Sequence, residues 1–491
     1  MAGPQDPHLG LGWSRLWTES PRPHFVKEHP NAIWLVVATV CIGAFMGQLD
    51  ASIVTLAFPT LGRDFQASVG DVAWVGLSYL LVLVATVAAV GRVADMVGRK
   101  LLYVYGFIVF VVGSGLCGLA PNLIWLDVFR AIQALGAAML QANSVAIIAD
   151  AVPRHRLGQA IGIQGAAQAL GLSLGPVVGG LLIALGGWRL IFLVNVPVGI
   201  VGTVLGWLLI PRSRRLQTRT AFDWPGLVLF VPAIASLLVA LSYGNQLGWT
   251  SPIVLALGGG VAVLGILFLR RQARVRHPMI DLSLFRRPAF ATGISSGLLS
   301  YLVLFGTLFI VPYYLETVRH LSVGRTGLEL TVMPVAIGLV APFAGRRADR
   351  IGARPLTVAG MTIAGSSFVM MALFHAHTAA FILELAGLGA GLGAFTPANN
   401  ASIMAAAPRS QTGLAGGVLN MTRALGTALG LAMSGLILAS VAGAQARSPS
   451  LINEGFVVAT LSFGAVCGLA ALLSSRQARG TNGMERAPDQ V

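Results

Sequence analysis

Charge is scarce in this chain: Lys and Arg number 33, Asp and Glu 18, together 10% of 491 residues. Lysine is scarcer still. Only Lys27 and Lys100 occur, and neither follows a G-x-x-x-x-G-K-[ST] phosphate loop, so this chain cannot itself use ATP to drive work. The three cysteines, Cys41, Cys117 and Cys467, sit in apolar stretches without C-x-x-C spacing or histidine neighbours. That excludes a thiolate metal site or redox pair and leaves small buried hydrophobes. All eight histidines fall in tails or joints between apolar stretches, so no catalytic constellation and no metal site is expected. "GLGAGLG" at 387–393 looks like a dinucleotide fingerprint but lies in an apolar helix with no strand before it, which points to close helix packing instead.

What is present in excess is apolar surface. Hydrophobic residues make up 55% of the chain, and the mean hydropathy is +0.78, more than one soluble core of this length can bury. A bilayer core of ~30 Å takes about 20 apolar residues as helix. Stretches of that kind predict fourteen spans, at 33–60, 72–94, 101–120, 123–149, 158–184, 189–211, 223–244, 252–269, 289–313, 326–345, 355–375, 379–405, 411–441 and 455–474. An even number places both termini on one side. The first apolar stretch follows a polar tail and ends without a small-residue cleavage site, so it reads as a retained helix.

Under this assignment 26 of the 33 Lys and Arg fall on the side of the termini, five on the other side and two within spans. Basic joints mark the cytoplasmic side, so both termini are expected there, in the cell (inner) membrane. The net charge of +15 is thus topology and contact with anionic lipid, with no nucleic-acid partner expected.

The chain also repeats itself. "GRVADMVGRK" at 91–100 returns as "GRRADRIGAR" at 345–354. The offset persists to within one residue from Pro153 to Pro408, Gly158 to Gly413, and Gly175 to Gly430. A duplicated six-helix bundle is the economical reading. It divides the chain into a cytoplasmic tail (1–31), an N-terminal bundle (32–211), two extra helices with basic joints (212–288), a C-terminal bundle (289–475) and a second tail (476–491). The fold class is all-α and integral to the membrane.

Here the sequence resembles the major facilitator superfamily. "GRVADMVGRK" fits its loop pattern G-x-x-x-D-x-x-G-R-[KR], while the second copy has Ala353 in place of a basic residue. The two central helices, "QLDASIVTLAFP" at 48–59 and "WRLIFLVNVPVG" at 188–199 are similar to the fourteen-helix drug/proton antiporter branch of EmrB/QacA type. The fifth helix carries Gly162, Gly171, Gly175, Pro176, Gly179 and Gly180 in that branch's pattern G-x8-G-x3-G-P-x2-G-G. Glycines let helices approach backbone to backbone and Pro176 permits a bend; the resemblance links the full pattern to export.

Charges inside a bilayer cost several kcal/mol unless paired or hydrated, so each needs a reason. Asp50 lies ~15 Å from the outer end of the first helix, and Arg130 ~12 Å from that of the fourth, so the two can face each other. Asp50 reads either as a carboxyl that titrates or as half of a permanent ion pair; the resemblance implies proton coupling for both residues. It also implies a cytoplasmic charge cluster of Asp95, Arg99, Asp150 and Asp349 that locks the two bundles together in the outward-open state. Asp127, Glu329 and Glu384 lie shallower, as interfacial acids.

A cavity between the bundles is expected to be lined by Gln133, Gln141, Asn143, Gln164, Gln168, Asn195, Asn399, Asn400 and Asn420. Arg423, Glu384, Phe45, Met46, Met139 and Phe395 are possible further members. The amides read equally as hydrogen bonds between helices. The resulting expectation is a proton-coupled multidrug exporter of lipophilic, often cationic compounds, not an enzyme. It needs no cofactor beyond the proton gradient, its partners are substrate, protons and bilayer, and a periplasmic adaptor is left open. A dedicated exporter of one antibiotic, metabolite or lipid is the alternative; a non-transporting sensor or scaffold is the remote one.

Overall fold

The computed structural model describes residues 19, 22–23, 31–153, 156–213, 223–276, 278–408, 412–443 and 448–476. Fourteen of its helices are long and apolar enough to cross a membrane. They are α1 (Ala32–Asp64), α2 (Val69–Val97), α3 (Arg99–Gly118), α4 (Leu123–Ala151), α5 (Leu157–Gly186), α6 (Arg189–Leu209) and α7 (Trp224–Leu247). Then follow α8 (Pro252–Gln272), α9 (Pro288–Val318), α10 (Val323–Ile351), α11 (Ala353–Phe374), α12 (Thr378–Ala406), α13 (Thr412–Ala442) and α14 (Pro449–Ser475).

Helices α2 and α10 start at Val69 and Val323, ahead of the predicted 72 and 326, because polar caps continue them beyond the hydrocarbon. Ser68 and Asp71 form a reciprocal capping box at the start of α2, and Asn122, Ser251 and Ser322 each accept a backbone hydrogen bond at the starts of α4, α8 and α10. These four caps share one face of the molecule, here the opposite face. The decapeptides sit on the other, the basic face. Each turns at a glycine with positive φ, Gly98 at 124° and Gly352 at 83°, separating α2 from α3 and α10 from α11. A side chain at either position would be strained, which gives the repeat a conformational reason.

The duplication is visible in the packing. In the first bundle α1 packs on α5, α2 on α4, and α3 on both α4 and α6; in the second, α9 packs on α13, α10 on α12, and α11 on both α12 and α14. Between bundles the principal contacts are α5 with α10 and α2 with α13. These meet near the opposite face, where the Phe58 and Phe309 rings lie 5.1 Å apart and Arg63 bonds Glu316 at 3.1 Å. Toward the basic face the helices part. A Cβ on Gly416 or Gly417 of α13 would meet nothing within 4 Å, and Met96 near the end of α2 is 44% exposed. The molecule is closed on the opposite face and opens toward the basic one.

The extra pair α7–α8 lies beside the α2–α13 seam. Near the opposite face α7 holds both bundles: Tyr243 donates to Asp71 at 3.0 Å and Gln246 to Ser68 at 3.0 Å on α2's side, while Asn245 donates to Ser440 at 2.5 Å on α13. Helix α8 packs on α7 and leaves Ile253, Leu255, Val263 and Ile266 exposed, as a lipid-facing helix should.

Candidate functional site

Asp50 sits in the middle of α1, fully buried. Its Oδ2 accepts from Arg130 Nη1 at 2.7 Å, and its Oδ1 accepts from Gln133 Nε2 at 2.9 Å and from Asn195 Nδ2 at 3.0 Å. Three helices thus converge on one carboxylate. Gln133 lies one turn beyond Arg130 on α4, so both reach it from the same helix face, while Asn195 comes from α6. Ser114 of α3 completes the shell, accepting from Gln133 at 3.0 Å and Asn195 at 3.1 Å and donating to the Phe192 carbonyl at 2.9 Å.

Arg130 is 2% exposed, and its further contacts bring in a fifth helix, α2. Nε donates to the Val75 carbonyl of α2 at 3.0 Å, and the guanidinium lies 4.2 Å from the centroid of the Tyr79 ring. Nη1 also donates to Gln133 Oε1 at 2.6 Å. Buried charge at this cost persists only when paired and fully hydrogen-bonded. Helix α2 is also the one that meets α13, since a Cβ on Gly76 would be 2.5 Å from Leu431. The cluster therefore ties the state of one carboxylate to a helix at the bundle seam.

Sequence reasoning matched Asp50 with Arg130 by depth but assigned Gln133 and Asn195 to the cavity; both are spent on Asp50 instead. Other amides are spent within one helix or between two. Asn143 donates to the Met139 carbonyl at 2.8 Å, Gln164 to Ser144 at 2.9 Å, and Asn399 to the Gly293 carbonyl at 2.9 Å. Met46 and Phe395 are packed within their bundles, 0% and 1% exposed. Gln141, Gln168, Asn400, Asn420, Arg423, Phe45 and Met139 remain half-buried. The Arg423 guanidinium lies 5.2 Å from the Tyr301 ring centroid. Glu384, expected to be interfacial, is 7% exposed and its Oε2 has no partner; Asp127 likewise buries an unpartnered oxygen. Glu329 lies 3.7 Å from Arg319. Ser114, Tyr79 and Phe192 were missed, since neutral and aromatic residues in apolar runs carry no distinguishing pattern.

The glycine pattern of α5 divides its work. A Cβ on Gly171 would strike the Phe45 carbonyl oxygen of α1, one on Gly175 would strike Ser52, and one on Gly179 would lie 2.8 Å from Ile53. Gly180 and Pro176 face the second bundle instead, against Val323, Gly324 and Gly327 of α10. Gly162 lies outside the described side chains.

On the basic face Arg99 pairs with Asp150 at 2.8 Å, both half-exposed and both in the first bundle. The Asp95 and Asp349 side chains lie outside the described residues. An unexpected member comes from the tail, read from sequence only as a soluble segment. The Glu19 carboxylate accepts from the Lys100 amide at 3.1 Å, the Ser213 amide at 2.6 Å and the Ser213 hydroxyl at 2.8 Å. It thereby satisfies the free amides at the start of α3 and joins them to the stretch after α6. Glu19→Ala is expected to speed hydrogen exchange at the Lys100 amide roughly fivefold, equivalent to about 1 kcal/mol, with Glu19→Gln intermediate. Unchanged exchange, measured by mass spectrometry of the peptide spanning Gly98, would show that the cap contributes nothing.

The model of the Major Facilitator Superfamily matches residues 40–314 and 293–487. The riboflavin transporter RibZ of Clostridioides difficile is 37% identical over 401 residues, covering 81% of this chain and 87% of its own. The multidrug resistance protein Stp of Mycobacterium tuberculosis is 34% identical over 409 residues, covering 83% and 76%. Among solved structures, an inward-facing bacterial homologue of the human lysosomal transporter Spinster superposes with a TM-score of 0.69 at 16% identity, covering 91% of this chain and 98% of the other.

Proposed function

Because the chain belongs to the major facilitator superfamily, we propose that it exports lipophilic, often cationic compounds in exchange for protons. It is a multi-pass membrane transporter and not an enzyme. The observation that carries the exchange reading is the buried Asp50–Arg130 pair and its link to α2.

With Asp50 ionised, Arg130 is held between α1, α4 and α2, and the carboxylate's field favours a cation in the space between the bundles. A proton on Asp50 removes that charge. Arg130 then keeps only its Val75, Gln133 and ring contacts, α1 is tied to α4 by the Gln133 hydrogen bond without the ion pair, and the attraction for a cation falls. Access that alternates between the two faces turns this competition into exchange. A returning proton supplies ~2.3 kcal/mol per 100 mV and ~1.4 kcal/mol per pH unit, enough for a concentration ratio well above tenfold. Export, with the basic face in the cytoplasm of an inner membrane, is supported by the α5 glycine pattern and the charge asymmetry. No cofactor enters this scheme.

Ethidium uptake into inverted vesicles under an imposed pH gradient tests it, and accumulation at least tenfold above protein-free vesicles is expected. The 37% identity to a riboflavin transporter favours a second reading, movement of one metabolite. Riboflavin uptake with no movement of ethidium or of any other lipophilic cation would replace the multidrug reading with that one.

A further inference from the structure

Glu316 is a buried carboxylate that the scheme above does not use. It lies on a π-helical turn, Tyr314–Val318, at the opposite-face end of α9, with its side chain 2% exposed. Oε2 accepts one hydrogen bond from Arg63 Nη2 at 3.1 Å; Oε1 is buried with no partner. Glu316 is also one of the residues lining a cavity of about 650 Å³ where the two bundles meet, walled further by Pro59, Gln66, Tyr313, Thr317 and His320. That volume suits a small organic molecule.

We propose that this cavity is a second cation site, at which a transported compound bearing N–H donors, such as an amidinium, guanidinium or protonated amine, replaces Arg63 on Glu316. The inference rests on the export reading, which brings such a compound to the opposite face. An unpartnered buried oxygen costs roughly 1–3 kcal/mol, so the site lacks a donor that a planar amidinium supplies with two parallel N–H bonds. The present occupant is easily displaced. Arg63 makes one hydrogen bond to Glu316 and a longer one of 3.3 Å to Thr60 Oγ1, and its side chain is 62% exposed, a geometry that contributes little to stability. Tyr313 and Pro59 offer an apolar wall for the body of the compound. The exchange also has a conformational consequence: Arg63 belongs to α1 and Glu316 to α9, so a cargo on Glu316 removes an ion pair joining the bundles where they are closed.

The fluorescent bis-amidine DAPI tests this by anisotropy titration of the full chain in lipid nanodiscs. Arg63→Gln removes the competing guanidinium and is expected to tighten DAPI binding about tenfold, whereas Arg63→Lys keeps a competing cation and stays near the parent. Adding Glu316→Gln to Arg63→Gln is expected to erase the gain. Arg63→Gln without a gain overturns the proposal, as does a gain that survives Glu316→Gln. Glu316→Gln alone serves as a further check, with weaker binding than the parent expected. DAPI transport into inverted vesicles separates the two readings: binding that follows this pattern without transport defeats only the export reading, and transport without the pattern defeats only this site.

Discussion

Asp50→Asn is expected to lower gradient-driven transport at least about 100-fold in initial rate at equal amounts of protein in the membrane. The substitution keeps the shape of the side chain and its capacity to accept from Gln133 and Asn195, but removes the charge that balances Arg130. A buried guanidinium left without its counter-ion costs about 3–5 kcal/mol, so the variant is also expected to unfold at lower temperature. Loss of transport alone would therefore be ambiguous. Pairing Asp50→Asn with Arg130→Gln resolves it: with both charges gone, much of the thermal stability is expected to return while gradient-driven transport stays lost. If the double variant regains transport along with stability, the pair only holds helices together. If Asp50→Asn alone transports normally, the proton binds elsewhere, and Glu384, with its unpartnered buried oxygen, is the next carboxyl to replace.

The elements that were legible in the sequence are those fixed by period and position. The fourteen spans, the duplication and the turn at Gly98 and Gly352 follow from apolar length and repeated residues. The meeting of Asp50 and Arg130 followed from depth, because helical rise converts residue counts into distance. Partner choice was not legible. An asparagine at 195 or a glutamine at 164 satisfies its amide toward the cavity or toward another helix with the same composition around it. Only the fold shows that Asn195 turns to Asp50 while Gln164 turns to Ser144. Glu19, Arg63 and Tyr243 were silent for a related reason. Glu19 is a single polar residue in the tail and Arg63 and Tyr243 are single polar residues near helix ends, places where polar residues are expected anyway, and their partners lie 81, 253 and 172 positions away.

The glycines that suggested direction in the sequence turn out to separate two kinds of contact, and alanine substitution is expected to tell them apart. At Gly171 a methyl group would strike the Phe45 carbonyl oxygen and come within 3.1 Å of the Leu49 amide nitrogen, both backbone atoms of α1 in the same bundle. Neither can turn aside, so Gly171→Ala forces the helices apart at a cost of about 1–3 kcal/mol, read as lower yield and lower unfolding temperature. The equivalent glycine of the second bundle, Gly426, abuts the Leu298 carbonyl oxygen of α9 and is expected to respond alike. Gly165 is the control: a Cβ there meets nothing within 4 Å, and alanine is expected to be neutral or stabilising by ~0.5–1 kcal/mol. Gly327 differs in kind. Its Cβ would strike the Pro176 carbonyl oxygen, but Gly327 is in α10 and Pro176 in α5, helices of different bundles, which under the proposed exchange part when the opposite face opens. The clash then burdens one conformation and not the fold. At a similar 1–3 kcal/mol, Gly327→Ala shifts the equilibrium roughly 5- to 150-fold away from the closed opposite face while unfolding changes little. Spin labels on cysteines replacing Gln66 and His320 would report it as a population at longer distance. An unchanged distance distribution would mean that α5 and α10 adjust without opening, and that the glycine serves packing alone.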